Sequence, residues 1–165
     1  MSDVRPGLAR RAELGDDLGM AGRIYSVGYE GLTLDGLVDR LAGAQVSVLV
    51  DVRLNPISRK PGFSRGRLSE AVAAAGIRYV HEQELGNPPD NRDSFRSGDA
   101  EAGRSRMRSI LGNGAGEALD RVVKLASTER IAVLCVERDA RRCHRVVITE
   151  MVVERNPAID VLNIL

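Results

Sequence analysis

Five short apolar runs, rich in β-branched residues, alternate with stretches of helical period, and this alternation restricts the fold more than anything else in the chain. The runs are Arg23–Gly28, Val46–Val52, Ile77–Val80, Ile131–Val136 and Ile159–Ile164. Each has strand length, and the strongest are apolar almost throughout, so both of their faces are expected to be covered. Between them lie helical patterns. Thr33 stands as a cap before Leu34, Leu37, Val38 and Leu41, and Gly43 is a plausible stop. Leu68 and Val72 precede Gly76; Leu119, Val122, Val123 and Leu125 mark Glu117–Ala126; Val146, Val147, Met151 and Val153 precede Pro157. Strands alternating with helices predict a three-layer α/β fold: a mainly parallel sheet of about five strands flanked by helices. Right-handed crossovers then place every strand's carboxyl end on one edge, where such sheets bind ligands.

The chain has 165 residues, which suits one α/β domain over residues 23–165. Residues 1–22 are polar and charged, lack the apolar centre of a signal peptide, and read as a flexible leader. No apolar run is long enough to span a membrane, so a cytoplasmic location and free thiols are expected. A net charge of +1 provides no global field for nucleic acid, and an aromatic content of 3% without Trp argues against stacking platforms for single strands. Apart from Lys60 and Lys124 the basic residues are arginines, whose forks suit phosphate and carboxylate. Arg53–Arg67 reads as a donor-rich loop, Leu85–Gly103 as a long mobile loop or lid, and Glu101–Leu111 as a short basic helix.

The expected strand ends carry Gly28-Tyr29-Glu30, Asp51-Val52-Arg53, His81-Glu82 and Cys135-Val136-Glu137. Both cysteines of the chain and one of its two histidines fall within ten residues of each other. Cys143 and His144 are expected in the first turn of the last helix, with Asp139 as its cap, where free amides and the dipole favour a thiolate at Cys143. Cys135, Glu137, Cys143 and His144 are therefore the candidate catalytic groups, with Glu137 and His144 handling protons. Gly28, Tyr29, Asp51, Arg53, Ser58, Arg59, His81 and Arg145 are the candidate substrate-binding groups, Arg53 facing an anion while Asp51 orients it. A zinc set of Cys135, Cys143, His144 and His81 is set aside. Adjacent residues leave a helix in different directions, and Cys-x7-Cys-His matches no common zinc spacing, so no metal and no cofactor are expected.

Several segments together resemble the DUF488 family. They are Ile24-Tyr-Ser-Val-Gly-Tyr29, Val50-Asp-Val-Arg53 with Asn55-Pro56 and Ser58-Arg59, Tyr79…Leu85-Gly86, and Leu134-Cys135-Val-Glu137…Cys143-His144-Arg145. The resemblance spans about Ile24 to Val153. It implies a small cytoplasmic α/β domain in which the two cysteines matter, and it implies no particular reaction. A weaker likeness to rhodanese-like and cysteine-phosphatase domains breaks down at the loop after Cys135, which has no glycine and carries Glu137 where a phosphate cradle needs free amides.

The expectation is a small enzyme binding an anionic or nucleotide-like ligand. One alternative is a non-catalytic module binding nucleic acid or a partner protein through the Arg53–Arg67 loop and the Arg104–Arg108 helix. Another is a thiol redox protein joining Cys135 to Cys143, although Cys-x7-Cys lacks the Cys-x-x-Cys geometry of exchange enzymes.

Overall fold

In the computed structural model residues 22–164 are described, and the leader expected over 1–22 lies, Gly22 apart, outside them. The sheet has five strands, all parallel, in the order β3-β2-β4-β1-β5. They are β1 (Arg23–Gly28), β2 (Val48–Asp51), β3 (Arg78–His81), β4 (Arg130–Cys135) and β5 (Asp160–Ile164). Among the described residues six α-helices accompany them: α1 (Leu34–Gly43), α2 (Arg65–Ala74), α3 (Pro89–Arg96), α4 (Ala100–Gly112), α5 (Gly116–Thr128) and α6 (Arg145–Arg155). The expected three-layer α/β architecture is the one observed. No described helix is long and apolar enough to cross a membrane.

Strand periodicity sorts the core into two layers. On β4, Ile131, Val133 and Cys135 face one side, where Met107 and Leu111 of α4, Leu119 and Val122 of α5, and Val147, Ile148 and Val152 of α6 cover them. Ala132 and Leu134 face the other side, against Leu37 and Leu41 of α1, Leu68 and Val72 of α2, and Phe63. The sequence cue at α1 is direct, since the Thr33 side chain accepts from the Gly36 amide at 3.0 Å.

The stretch Leu85–Gly103 differs from the expected lid. After a single 3-10 turn at Gln83–Leu85 it forms α3 and the start of α4. Pro89 opens α3, Phe95 is buried, and the fully buried Asn91 donates to Asn87 Oδ1 at 2.9 Å and to the Gly103 carbonyl at 3.0 Å. Gly103 packs so closely on Phe95 that a Cβ there would come within 2.9 Å of the ring. A side-chain amide and a glycine contact, rather than an apolar stripe, hold α3 against α4, which is why hydrophobic periodicity missed α3, whereas α4 is the helix expected over Glu101–Leu111.

Residues that follow β1 run to β2 across one side of the sheet, and residues that follow β4 run to β5 across the other. The carboxyl ends of the neighbours β1 and β4 are therefore the switch point of the sheet, the place where such folds open a crevice. Pairing continues past the strands, with the Tyr29 amide donating to the Cys135 carbonyl at 3.2 Å and the Glu30 amide to the Val136 carbonyl at 2.9 Å. Gly28 is required there, because a Cβ would stand 1.8 Å from the Glu137 carbonyl oxygen. Gly28→Ala is expected to lower unfolding stability by more than about 2 kcal/mol, since backbone must move. The control Gly66→Ala, where a Cβ meets nothing within 4 Å, is expected to be neutral or stabilising by up to about 1 kcal/mol. Urea midpoints measure both, and equal midpoints would contradict the close-approach account.

Candidate active site

Asp51, at the end of β2, is fully buried and grips Arg53 with both carboxylate oxygens: Oδ1 accepts from Nε at 2.9 Å and Oδ2 from Nη2 at 2.6 Å. The Tyr79 hydroxyl also donates to Oδ2, at 2.6 Å. Arg53 Nη1 donates to the Phe63 carbonyl at 2.6 Å and lies 3.4 Å from the Tyr29 hydroxyl. Burial opposes the charge on Arg53, but the Asp51 carboxylate outweighs it and keeps the guanidinium protonated. Burial together with Asp51 pushes the Tyr79 hydroxyl well up, so it remains a donor.

The loop after β4 does not enter α6 directly. Asp139 caps a 3-10 turn at Ala140–Arg142, not the helix itself, with Oδ1 accepting from the Arg141 amide at 2.9 Å. Cys143 follows in extended backbone, at φ −136° and ψ 150°, and His144 is the N-cap residue of α6. The expected placement of both residues in the first helical turn is corrected by this break. So is the reason for separating their side chains, because an extended Cys143 and a helix-entry His144 point the same way. Cys135 Sγ lies 3.9 Å, and Cys143 Sγ 3.6 Å, from the one nitrogen His144 Nδ1. His144 Nε2 lies 2.9 Å from the Val52 carbonyl, which only accepts, so Nε2 carries a proton.

The favoured thiolate is also not the expected one. A hydrogen bond from the Cys143 thiol, with the His144 charge beside it, draws the Cys135 thiol well below its usual range against the effect of burial. Burial and the neighbouring Cys135 sulfur push the Cys143 thiol well up. Burial works against a charge on His144, but Cys135 outweighs it and the net direction is upward. Desolvation raises the Glu137 carboxyl, aided by Cys135, and its Oε2 is buried without a partner.

Two hollows open over this cluster. The smaller, about 140 Å³, is lined by Cys135, Glu137 and His144 and by Arg53, Arg92 and Arg96, with Tyr29 and Asn87 among its other walls. The larger, about 670 Å³, is lined by Glu30, Phe95, Arg138, Arg141, Arg142 and Asn163, and again by Arg96 and Glu137. The chain matches, over residues 33–152, the family described as a domain of unknown function, DUF488. The chain belongs to the DUF488 family. No curated protein and no solved structure was found to match it.

The DUF488 chain brings only part of the expected substrate set to the hollows. Tyr29 and Arg53 line the smaller one, and Gly28 permits the loop of Glu137 to lie over β1. Ser58 stands behind them, 3.4 Å from the Tyr29 hydroxyl, and accepts from the Lys60 amide at 3.1 Å. Arg59 is exposed and lines neither hollow. His81 lies apart, its Nε2 2.8 Å from the Arg53 carbonyl. Glu82, from the same strand end, is held by Arg121 at 2.9 and 2.7 Å. Arg145 is fully buried, and its guanidinium donates to the Val27 carbonyl and, at 2.6 Å, to the Glu137 carbonyl, so it faces backbone and not the hollows.

The basic helix is likewise engaged internally. Arg104 donates to the Arg141 carbonyl, Arg106 pairs with Asp90, and Arg108 pairs with Glu150 and Glu154. Arg92, Arg96 and Arg138 were not among the residues singled out from the sequence. A proline pair followed by Asp90 signals a helix start, which would have placed Arg92 and Arg96 four apart on one face.

The Asp51–Arg53 pair yields a stability test. Asp51→Asn leaves a buried guanidinium without its counter-charge and is expected to cost about 3–5 kcal/mol. Tyr79→Phe removes one hydrogen bond to a charged group and is expected to cost about 1.5–3 kcal/mol. Urea unfolding checks the order, and a milder effect from Asp51→Asn would mean that Arg53 is held by other means.

Proposed function

We propose that this DUF488 protein is an enzyme acting on a small anionic molecule of nucleotide size, with its reacting bond beside the thiol–imidazole cluster. The observation that carries the reading is that Glu137 and Arg96 line both hollows at once. A ligand spanning them has its anionic group among Arg53, Arg92 and Arg96 and its body in the larger space, which falls within the volume range of small-molecule sites. Arg96 makes no ion pair among the described residues, so its fork is available to an anion. Glu137, desolvated and unpartnered at Oε2, serves as the proton-transferring group, a carboxyl retuned by burial. The cysteines and His144 supply the reactive centre.

Binding is tested first, by calorimetry with AMP, sugar phosphates and inorganic phosphate. Arg96→Ala is expected to weaken the best binder by about tenfold, the loss of one charge-assisted contact. Turnover of that compound is then expected to fall by at least about 100-fold in Glu137→Gln, with stability held within about 1–2 kcal/mol. If Glu137→Gln and Cys135→Ser both unfold the chain, these are core residues and the enzymatic reading is wrong.

A further inference from the structure

Two sulfurs converge on one nitrogen, an arrangement that a hydrogen bond to either sulfur alone does not require. His144 Nδ1 carries a single lone pair or a single proton in the ring plane, so it can serve Cys135 or Cys143 but not both. Its distances to the sulfurs are 3.9 and 3.6 Å. The other ring nitrogen is fixed as a donor to the Val52 carbonyl at 2.9 Å. That bond aims Nδ1 at the sulfurs and sets the tautomer, as the outer partner of a metal-binding histidine does.

The three ligand atoms lie within 4.8 Å of one another, and all three residues are buried. Tetrahedral zinc, with bonds of about 2.3 Å to sulfur and about 2.0–2.1 Å to nitrogen, sets its sulfur and nitrogen ligands about 3.5 Å apart. The two sulfur–nitrogen distances, 3.9 and 3.6 Å, thus stand within a few tenths of an ångström of those in a coordination sphere. The break before α6 makes this possible, because extended Cys143 and helix-entry His144 turn to the same point.

We propose that Cys135, Cys143 and His144 form a three-ligand site for a thiophilic divalent cation of the zinc class, with a fourth position open to the smaller hollow. Two thiolates and a neutral imidazole match the charge and softness of such an ion, and the thiol protons leave to solvent as it binds. Cys135 and His144 both line the smaller hollow, so the fourth direction leads there. Glu137 also lines it, and its carboxyl falls outside the close triangle while its Oε2 is buried and unpartnered. Three protein ligands with an accessible fourth position is the pattern of a metal that works on an exchangeable ligand rather than one that only closes a fold. The inference goes beyond the anion-binding reading and does not depend on it.

Cobalt(II), added to the reduced full-length chain, tests the site directly. About one equivalent is expected to produce a thiolate-to-cobalt charge-transfer band with the strong visible absorption of tetrahedral cobalt, and zinc is expected to abolish both. Cys135→Ser, Cys143→Ser and His144→Ala are each expected to lose the band, whereas Glu137→Gln and Arg96→Ala are expected to keep it. Circular dichroism on the same samples separates lost ligands from lost folding. Because a cysteine variant can fail to fold, wild type is also heated with excess zinc, and its thermal midpoint is expected to rise. A folded, reduced wild type that shows no band and no zinc shift overturns the proposal, as does a His144→Ala chain that binds cobalt as well as wild type. If cobalt fails to bind while Arg96→Ala still weakens AMP binding, the metal site is wrong and the enzymatic reading stands. If cobalt binds and no anion does, the reverse holds.

Discussion

A guanidinium with no water around it holds the site together. Arg145 opens α6, is fully buried, and reaches the Val27 carbonyl of β1 and the Glu137 carbonyl of the loop after β4. The second of these carbonyls lies over the position where Gly28 has no side chain. One residue therefore ties together the strand end, the loop bearing Glu137 and the helix that follows His144. Removing an arginine from water is costly unless its charge is met. Among the described residues no carboxylate pairs with Arg145 and its Nε has no partner, so backbone dipoles meet part of that charge and the rest acts on its surroundings. The charge of Arg145 favours the ionised form of Cys143, against the burial that raises that thiol. The clamp is thus also a source of positive potential beside two sulfurs that must carry negative charge to react or to bind a cation.

The backbone supplies the remaining order. Cys135 ends β4 on the face covered by α4, α5 and α6, and residues of that layer seal it from water on one side. Val52, just beyond β2, turns its carbonyl to His144, so the imidazole is aimed by the sheet and not by another side chain. Asp51 and Arg53 fix the segment on either side of that carbonyl through a bidentate pair. Breaking the pair would disturb the histidine through Val52 as well as the hollow through Arg53.

The strands, their parallel arrangement and the edge where groups gather were legible because apolar runs and helical periods report burial, and burial is what the sheet is made of. That Cys135, Glu137 and His144 come to one hollow was legible for the same reason: they end or follow a strand whose pattern is unmistakable. Three things were not legible. The 3-10 turn before α6 leaves no hydrophobic signature, and with it come the convergence of Cys143 with His144 and the surroundings that favour the thiolate at Cys135. The burial of Arg145 depends on its reach to the Val27 carbonyl, far away in sequence, and an arginine in sequence looks solvated. The helix α3 rests on Asn91 and on Phe95 against Gly103, contacts that no periodicity encodes, whereas α4 was legible from Glu101 to Leu111.

That helix pair also separates two mechanical roles. The reactive cluster sits on β4, α6 and the end of β2, elements packed into the main apolar layer. Arg92 and Arg96 ride instead on α3, an eight-residue helix whose buried side chains are only Asn91 and Phe95. Segments with few buried apolar contacts open at lower free energy than core elements. The wall that carries Arg92 and Arg96 is therefore softer than the floor that carries the thiols. A ligand bridging both hollows would bind Arg96 on the soft side and approach Glu137 on the rigid side. On that reading its anionic group would draw α3 inward while the sulfur–imidazole triangle stayed fixed, and holding the ligand and positioning it would fall to different parts of the chain.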